Sequence, residues 1–164
     1  MFTESDKHRM EATEGWLGLG NWREAQSELD TVAGNMQDHP DVLRLRWEIY
    51  RSGKQWERAA EIGHRLTEAI PDNSYGWVHF AYALHELKRT AEARAAILPV
   101  VDKFPSDYIL PYNLACYECQ LGNHSEAMQW LEKAKARAGK KVICKMAMQD
   151  ADLEPLWPRI SELE

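Results

Sequence analysis

The chain has 164 residues, of which 45% are apolar and 28% charged, and its formal net charge is −6. This length suits one domain with its own core. The acidic balance argues against nucleic acid as a partner, because phosphate backbones attract clustered positive charge. The longest apolar stretch covers residues 95–101, far fewer than the roughly 20 residues that span a bilayer, so we expect no membrane insertion. A polar start and three cysteines, too few for a disulfide framework, predict a cytoplasmic protein.

An internal repeat of 34 residues is visible first in a column of four alanines: Ala25, Ala59, Ala93 and Ala127. Positions four and seven residues after each alanine are mostly apolar, which is helical spacing. Shortly before each alanine stands a column that is typical of a turn: Gly20, Lys54, Lys88 and Gly122. Pro71 and Pro105 repeat at the same step, where a helix must stop. The pattern therefore predicts that each unit forms a helix, a short turn and a second helix.

We place these units, in chain order, at about residues 6–39, 40–73, 74–107 and 108–139, followed by a closing helix and tail at 140–164. Pro40 comes three residues later than the repeat step predicts, so we expect the second helix of the first unit to run long. The second helix of the fourth unit should begin at His124. One hairpin cannot bury its apolar face alone, so we expect a single all-α domain, a right-handed superhelical solenoid of antiparallel helix hairpins.

The third and fourth units resemble the tetratricopeptide repeat family. The residues that carry this resemblance are Trp77, Phe80, Ala81, Leu84, Ala93, Ile97, Val100, Pro105, Tyr112, Leu114, Ala115 and Ala127. The resemblance extends over roughly residues 6–138, and the proline-rich tail is similar to endings of some bacterial repeat proteins. The first two units depart from the family pattern at Arg9, Thr13, Arg46 and Trp47. The resemblance implies a noncatalytic scaffold that binds a protein or peptide partner in a concave groove. We expect a monomer, because residues 1–16 have few apolar groups.

The first helix of each unit should turn one stripe of side chains towards that groove. Tyrosine offers a large rigid contact area with a polar tip, and asparagine can pair with an extended peptide backbone. The spacing nominates Arg44, Glu48, Arg51, Tyr75, Val78, His79, Tyr82, His85, Tyr112, Asn113, Cys116 and Gln120. Some members of the family that the chain resembles hold a terminal carboxylate with lysine and asparagine at set groove positions. Val78 and Tyr82 stand at two of these positions here, so the resemblance does not imply that type of binding.

Other functions are less well supported by the residues. Cys116 and Cys119 have a C-x-x-C spacing and could bind zinc with His79 or His85, but a pair inside a predicted helix is more typical of close packing. Since no nucleophile, base and orienting group occur together, we predict no enzyme activity and no cofactor. The alternative to a peptide-binding scaffold is a self-associating assembly protein or a protein similar to secretion chaperones.

Overall fold

The computed structural model describes residues 1–162, and within that range the secondary structure is entirely helical. The predicted all-α class is confirmed. Leu163 and Glu164, the end of the predicted tail, lie outside the described residues. The α-helices are α1 (Glu4–Gly18), α2 (Trp22–Leu29), α3 (Pro40–Ser52), α4 (Trp56–Ala69), α5 (Ser74–Glu86), α6 (Thr90–Ile97), α7 (Ile109–Gln120), α8 (His124–Ala138), α9 (Lys140–Ala147) and α10 (Trp157–Ser161). Short 3₁₀ helices cover Gly34–Met36, Val101–Lys103 and Ala151–Leu156.

The chain divides into two compact units, the first Met1–Ala83 and the second beginning at Leu84, so the division falls inside α5. In the first unit, α1 packs on α2 and α3 on α4. In the second, α7 packs on α8, α9 follows on α8, and the 3₁₀ helix Ala151–Leu156 lies against α7. Within the described residues, no helix combines the length and the apolar character that crossing a membrane requires.

The repeat columns have the roles that their spacing predicts. All four alanines of the first column are completely buried, as small residues at close helix crossings should be. The four residues of the turn column have positive φ angles between 52° and 83°. In each turn the N–H groups of the turn-column residue and of the next residue donate to carbonyls of the preceding helix, as Gly20 does to Leu17 and Asn21 to Trp16. This is the Schellman ending, in which a left-handed residue stops one helix and starts the return of the chain.

The expectation that the second helix of the first unit runs long was wrong, because α2 ends at Leu29. Side chains from elsewhere bond to the backbone groups that another helical turn would have used. Gln37 Nε2 donates to Leu29 O at 3.3 Å and to Val32 O at 2.8 Å, and Asp6 Oδ1 accepts from Ala33 N at 3.0 Å. The chain then passes through a 3₁₀ turn, and α3 begins at Pro40, where the missing N–H of proline costs nothing.

The residues that depart from the family pattern in the first two units are accommodated without loss of burial. Thr13 is completely buried, and its hydroxyl donates to Arg9 O at 2.8 Å. Arg9 pairs with Glu28 at 2.9 Å. Trp47 is only 2% exposed, and its neighbour Arg46 reaches outwards to Asp30 at 2.8 Å. Long charged side chains at these positions therefore lie along the surface while their neighbours fill the core.

Helices α4 and α5 approach each other at backbone distance. A Cβ built on Gly63 would lie 2.7 Å from the Cα of Phe80, and one built on Gly76 would lie 2.8 Å from the carbonyl carbon of Leu66. Neither glycine has a positive φ, so the missing side chain, rather than backbone freedom, is what the crossing uses. This close crossing fixes how the part of α5 that belongs to the first unit lies against α4.

The segment after α8 closes the second unit. Ile143 and Cys144 of α9 are buried, and so are Leu153, Leu156 and Ile160 further along the chain. None of these five side chains is more than 2% exposed. The indole N–H of Trp157 donates to Ala147 O at 2.8 Å and ties α10 back to the end of α9. The same segment also contacts Tyr112, Cys116 and His85, three of the nominated binding residues.

Candidate functional site

Six of the nominated residues lie together in the unit Met1–Ala83, on α3 and on the neighbouring part of α5. We call this set the α3–α5 face; it consists of Arg44, Glu48, Arg51, Tyr75, His79 and Tyr82. The members on each helix are three or four residues apart, which puts them on one side of that helix. Val78, also nominated, is half-buried.

Stacked rings form the centre of the α3–α5 face. The rings of Tyr75 and His79 are parallel with centroids 3.7 Å apart, and Trp47 meets His79 edge-on at 4.2 Å. His79 Nδ1 lies 2.8 Å from Tyr75 O, and since a carbonyl only accepts, Nδ1 carries the proton. Burial lowers the pKa of His79 below 6.5, so the neutral ring offers Nε2 as a hydrogen-bond acceptor near pH 7.

Charged groups border this stack. The guanidinium of Arg44 lies over the Tyr75 ring, 5.1 Å from its centroid, and its nearest carboxylate, on Asp41, is 3.9 Å away. Glu48 accepts from Arg51 at 2.8 Å and from the Tyr75 hydroxyl at 3.5 Å. Burial, helped by the Glu48 carboxylate, raises the pKa of Tyr75 to about 12, so this phenol remains a donor.

The outer part of the face is accessible. The side chains of Arg44 and Arg51 are 39% and 49% exposed, and Tyr82 is 37% exposed. Tyr82 rests on two tryptophans, Trp47 at 6.3 Å and Trp56 at 5.7 Å between ring centroids. Because these rings hold each other in place, a partner would meet a surface whose side chains are already ordered.

Three of the nominated residues of the second unit are in a different situation, because the chain's own segment 150–156 covers them. The Tyr112 hydroxyl donates to Asp150 Oδ2 at 2.9 Å, and Cys116 Sγ lies 3.5 Å from the same oxygen. Tyr112 is 5% exposed, Cys116 4% and His85 7%. In this conformation these three side chains are not accessible to a partner, whereas Asn113 is half-buried and Gln120 is exposed.

Two further contacts complete the docking of this segment. His85 Nε2 lies 2.9 Å from Asp152 Oδ2, while Nδ1 lies 3.0 Å from the Thr90 hydroxyl. Gln120 Nε2 donates to the main-chain carbonyl of Asp152 at 2.8 Å. The hydrogen bond from His85 lowers the pKa of the Asp152 carboxyl below 3.8, so this group is ionised at neutral pH. We call the residues that contact this segment the α7 face; they are His85 at the end of α5 and Tyr112, Cys116 and Gln120 on α7.

The sequence pattern indicates an apolar tail but does not indicate that Asp150 and Asp152 contact nominated residues, Tyr112 and His85. Two carboxylates at alternate positions, next to leucines, are a sequence signal for a segment that binds to a stripe of hydrogen-bond donors. Its target could not be assigned, because the contacting residues are 38 and 67 positions away in the chain.

The C-x-x-C pair lies on α7 with both thiols buried. Burial raises the pKa of Cys116 well above its usual range and, to a smaller degree, that of Cys119, and the neighbouring aspartates act in the same direction. Thiolates, the form that binds zinc, are therefore disfavoured here. In the part of the chain that is described, no three or more His, Cys, Asp or Glu side chains are grouped so that they could hold a metal ion.

The helix hairpins, their Schellman turns and the buried alanine columns define a helical-repeat protein. Residues 79–141 match the sequence model of the tetratricopeptide repeat. Tetratricopeptide repeat sequence is thus shown for this part of the chain. No curated protein sequence matches it.

Solved structures share this fold at low sequence identity. MamA 41-end from Desulfovibrio magneticus RS-1 is 16% identical, with a TM-score of 0.74, over 99% of this chain and 97% of that chain. A MamA RS-1 ArsTM double mutant is 14% identical, with a TM-score of 0.73, over 85% of this chain and 79% of that one. PilW, described as a widely conserved type IV pilus biogenesis factor, is 17% identical, with a TM-score of 0.70, over 98% of this chain and 79% of that chain. At these identities the likeness concerns the fold.

Proposed function

We propose that this protein is a noncatalytic scaffold that binds a protein or peptide partner through the α3–α5 face. The observation that supports this most directly is the ordered stack of Tyr75, His79 and Trp47, with charged groups at its border. Aromatic residues and arginine contribute most of the binding energy at protein interfaces, and they do so best when little side-chain freedom is lost on binding. The repeat fold supports the same class of function by analogy.

The chemistry of the face indicates what a partner would need. The flat exposed ring of Tyr82 favours an apolar or aromatic side chain. Arg44, whose carboxylate contact to Asp41 is long at 3.9 Å, favours a carboxylate of the partner. His79 Nε2 favours an N–H donor. An extended segment carrying an acidic and an apolar residue would satisfy all three.

The test is a selection of displayed random peptides against the wild-type protein, followed by affinity measurements on variants. The test variant combines Arg44→Ala with Tyr82→Ala. Arg58→Ala is a matched control, because Arg58 also lies over a tyrosine ring, Tyr50 at 5.6 Å, but outside the face. Fluorescence anisotropy of the selected peptides gives the dissociation constants.

We expect the double variant to lose roughly 10-fold or more in affinity, about 1.4 kcal/mol, and the control to stay within about 2-fold of wild type. The urea unfolding midpoint of each protein checks that the fold is retained. Selected peptides that bind the double variant and the wild type equally would show that the face is not the binding site.

A second candidate is a role in assembling a larger protein structure. It is supported by the similarity to PilW, which is described as a pilus biogenesis factor, and it retains the self-association alternative. Light scattering across a wide concentration range separates the two: we expect a monomer for the peptide-binding scaffold, and growth in mass with concentration for a self-assembling protein. The location in the cytoplasm stays a prediction, based on a cysteine content too low for a disulfide framework.

A further inference from the structure

We propose that the α7 face is a second binding site, kept closed by the chain's own segment 150–156 and opened by a partner segment of the same acidic and apolar chemistry. This inference rests on the proposed function, because it assigns a second surface of the scaffold and the kind of partner that it fits. It depends on contacts within the unit that begins at Leu84 alone.

The first argument is that donors on the α7 face converge on one short stretch of main chain. Tyr112 and Cys116 donate to the carboxylate of Asp150, and His85 lies 2.9 Å from the carboxylate of Asp152. Gln120 donates to the main-chain carbonyl of Asp152. One side chain of the face thus binds a main-chain carbonyl, and the others bind side chains at alternate positions. Grooves that bind extended peptides make the same two kinds of contact.

The second argument is that these groups complement an acidic segment. In the observed arrangement the face offers the Tyr112 hydroxyl, the Cys116 thiol and the Gln120 amide as donors, and the Nε2 of His85 beside a carboxylate oxygen. Burial raises the pKa of Tyr112, so the phenol keeps its proton and can donate a hydrogen bond to a carboxylate. Without a carboxylate opposite it, this buried hydroxyl would lose its partner, which is unfavourable. The face therefore favours Asp or Glu at alternate positions.

The third argument is that segment 150–156 is held in a way that permits opening. It forms a 3₁₀ helix, whose hydrogen bonds are poorer than those of an α-helix. Ala151, Glu154 and Pro155 are exposed, and the Asp152 side chain is 38% exposed, so much of the segment faces water. Two leucines, Leu153 and Leu156, anchor it. Weakly bonded surface segments of this kind open locally without unfolding the whole unit.

A partner segment would then compete with the chain's own residues for the same contacts. The apparent affinity of such a partner is its intrinsic affinity reduced by the small open fraction of the protein. Changes that weaken the closed state should therefore strengthen binding in trans. This is the opposite of what is expected if segment 150–156 only completes the core.

The closed state can be weakened at its carboxylates without changing their shape. The test variant is Asp150→Asn with Asp152→Asn, which removes two charged acceptors. Glu154→Gln is the matched control, because Glu154 is an exposed acid in the same segment. Cys116 is a built-in reporter: burial and the Asp150 carboxylate raise the pKa of its thiol, so alkylation by N-ethylmaleimide is slow while the segment is docked.

Two measurements are made on the full chain. Peptide-resolved mass spectrometry gives the alkylation rate of Cys116, and anisotropy gives the affinity of a fluorescein-labelled peptide with the sequence of residues 148–158. For the Asn variant we expect roughly a ten-fold faster alkylation and roughly a ten-fold tighter peptide complex than for wild type, because charged hydrogen bonds of the closed state are lost. The control should match wild type in both, and a peptide with both aspartates replaced by asparagine should bind each protein roughly ten-fold more weakly than the unchanged peptide.

The proposal is overturned if Cys116 stays protected in the Asn variant, or if it becomes reactive while the peptide binds no better. It is also overturned if amides of α8 exchange as fast as Cys116 is alkylated, because the segment would then be a structural cap whose loss unfolds the unit. None of these outcomes changes the affinities of peptides selected on the α3–α5 face, so this proposal and the proposed function can fail independently.

Discussion

The crossing of α4 and α5 predicts that replacing Gly63 by alanine destabilises the protein although alanine is the better helix former. The new Cβ would lie 2.7 Å from the Cα of Phe80 and 2.8 Å from its backbone nitrogen. Because both atoms belong to the backbone, relief requires the helices to separate by roughly 0.7 Å, which a close-packed interior resists. Overpacking of this severity costs about 3 kcal/mol, and the helix preference of alanine returns about 1. We expect a net loss of about 2 kcal/mol.

Gly15→Ala is the matched control, because Gly15 lies inside α1 with no atom within 4 Å of the added Cβ. There the same change should stabilise the protein by about 1 kcal/mol. Urea unfolding followed by circular dichroism measures both, and with a slope of about 2 kcal/mol/M the Gly63→Ala midpoint should fall by about 1 M. The reasoning is refuted if Gly63→Ala raises the midpoint as Gly15→Ala does.

Two further predictions concern His79 and Gly122. The pKa of His79 is lowered by burial, so its contribution to stability is complete above pH 6.5 and is lost as the pH falls through the lowered value. Between about pH 7 and about pH 5, urea titrations of wild type should therefore show a loss that His79→Gln lacks, and equal losses would contradict the assignment. Gly122 has a φ of 83° and open space around it, so Gly122→Ala should cost about 1 kcal/mol from backbone strain alone; an unchanged urea midpoint would count against the Schellman ending.

The helices and turns of this protein could be predicted because their signals are local in the sequence. Helical spacing decides which residues share a face, so the columns headed by Ala25 and Leu29 were identified without coordinates and are buried. The turn column was identified in the same way, although Lys54 and Lys88 replace glycine there and still adopt positive φ angles. A repeat also provides several copies of each signal, which makes a weak pattern in one copy easier to recognise.

Features that depend on side chains distant in the chain could not be predicted. The early end of α2 depends on Asp6, which bonds to Ala33, 27 residues further on. The close approach at Gly63 depends on which residue of α5 comes opposite it. For the binding residues, spacing nominated Tyr112 and Cys116 as part of an open groove, and it could not reveal that Asp150 bonds to both.

By itself, then, the sequence determined the helical class, the repeat length, the turns and the stripe of side chains from which the candidate binding residues are drawn, because each follows from the regular geometry of one helix or hairpin. Only the tertiary structure decided which part of that stripe is exposed in the described chain. Tyr82 remains accessible, whereas Tyr112 lies beneath a segment whose carboxylates match its hydroxyl. The physical reason is that covering one surface with another depends on complementary donors, acceptors and shape, and no sequence period encodes that match.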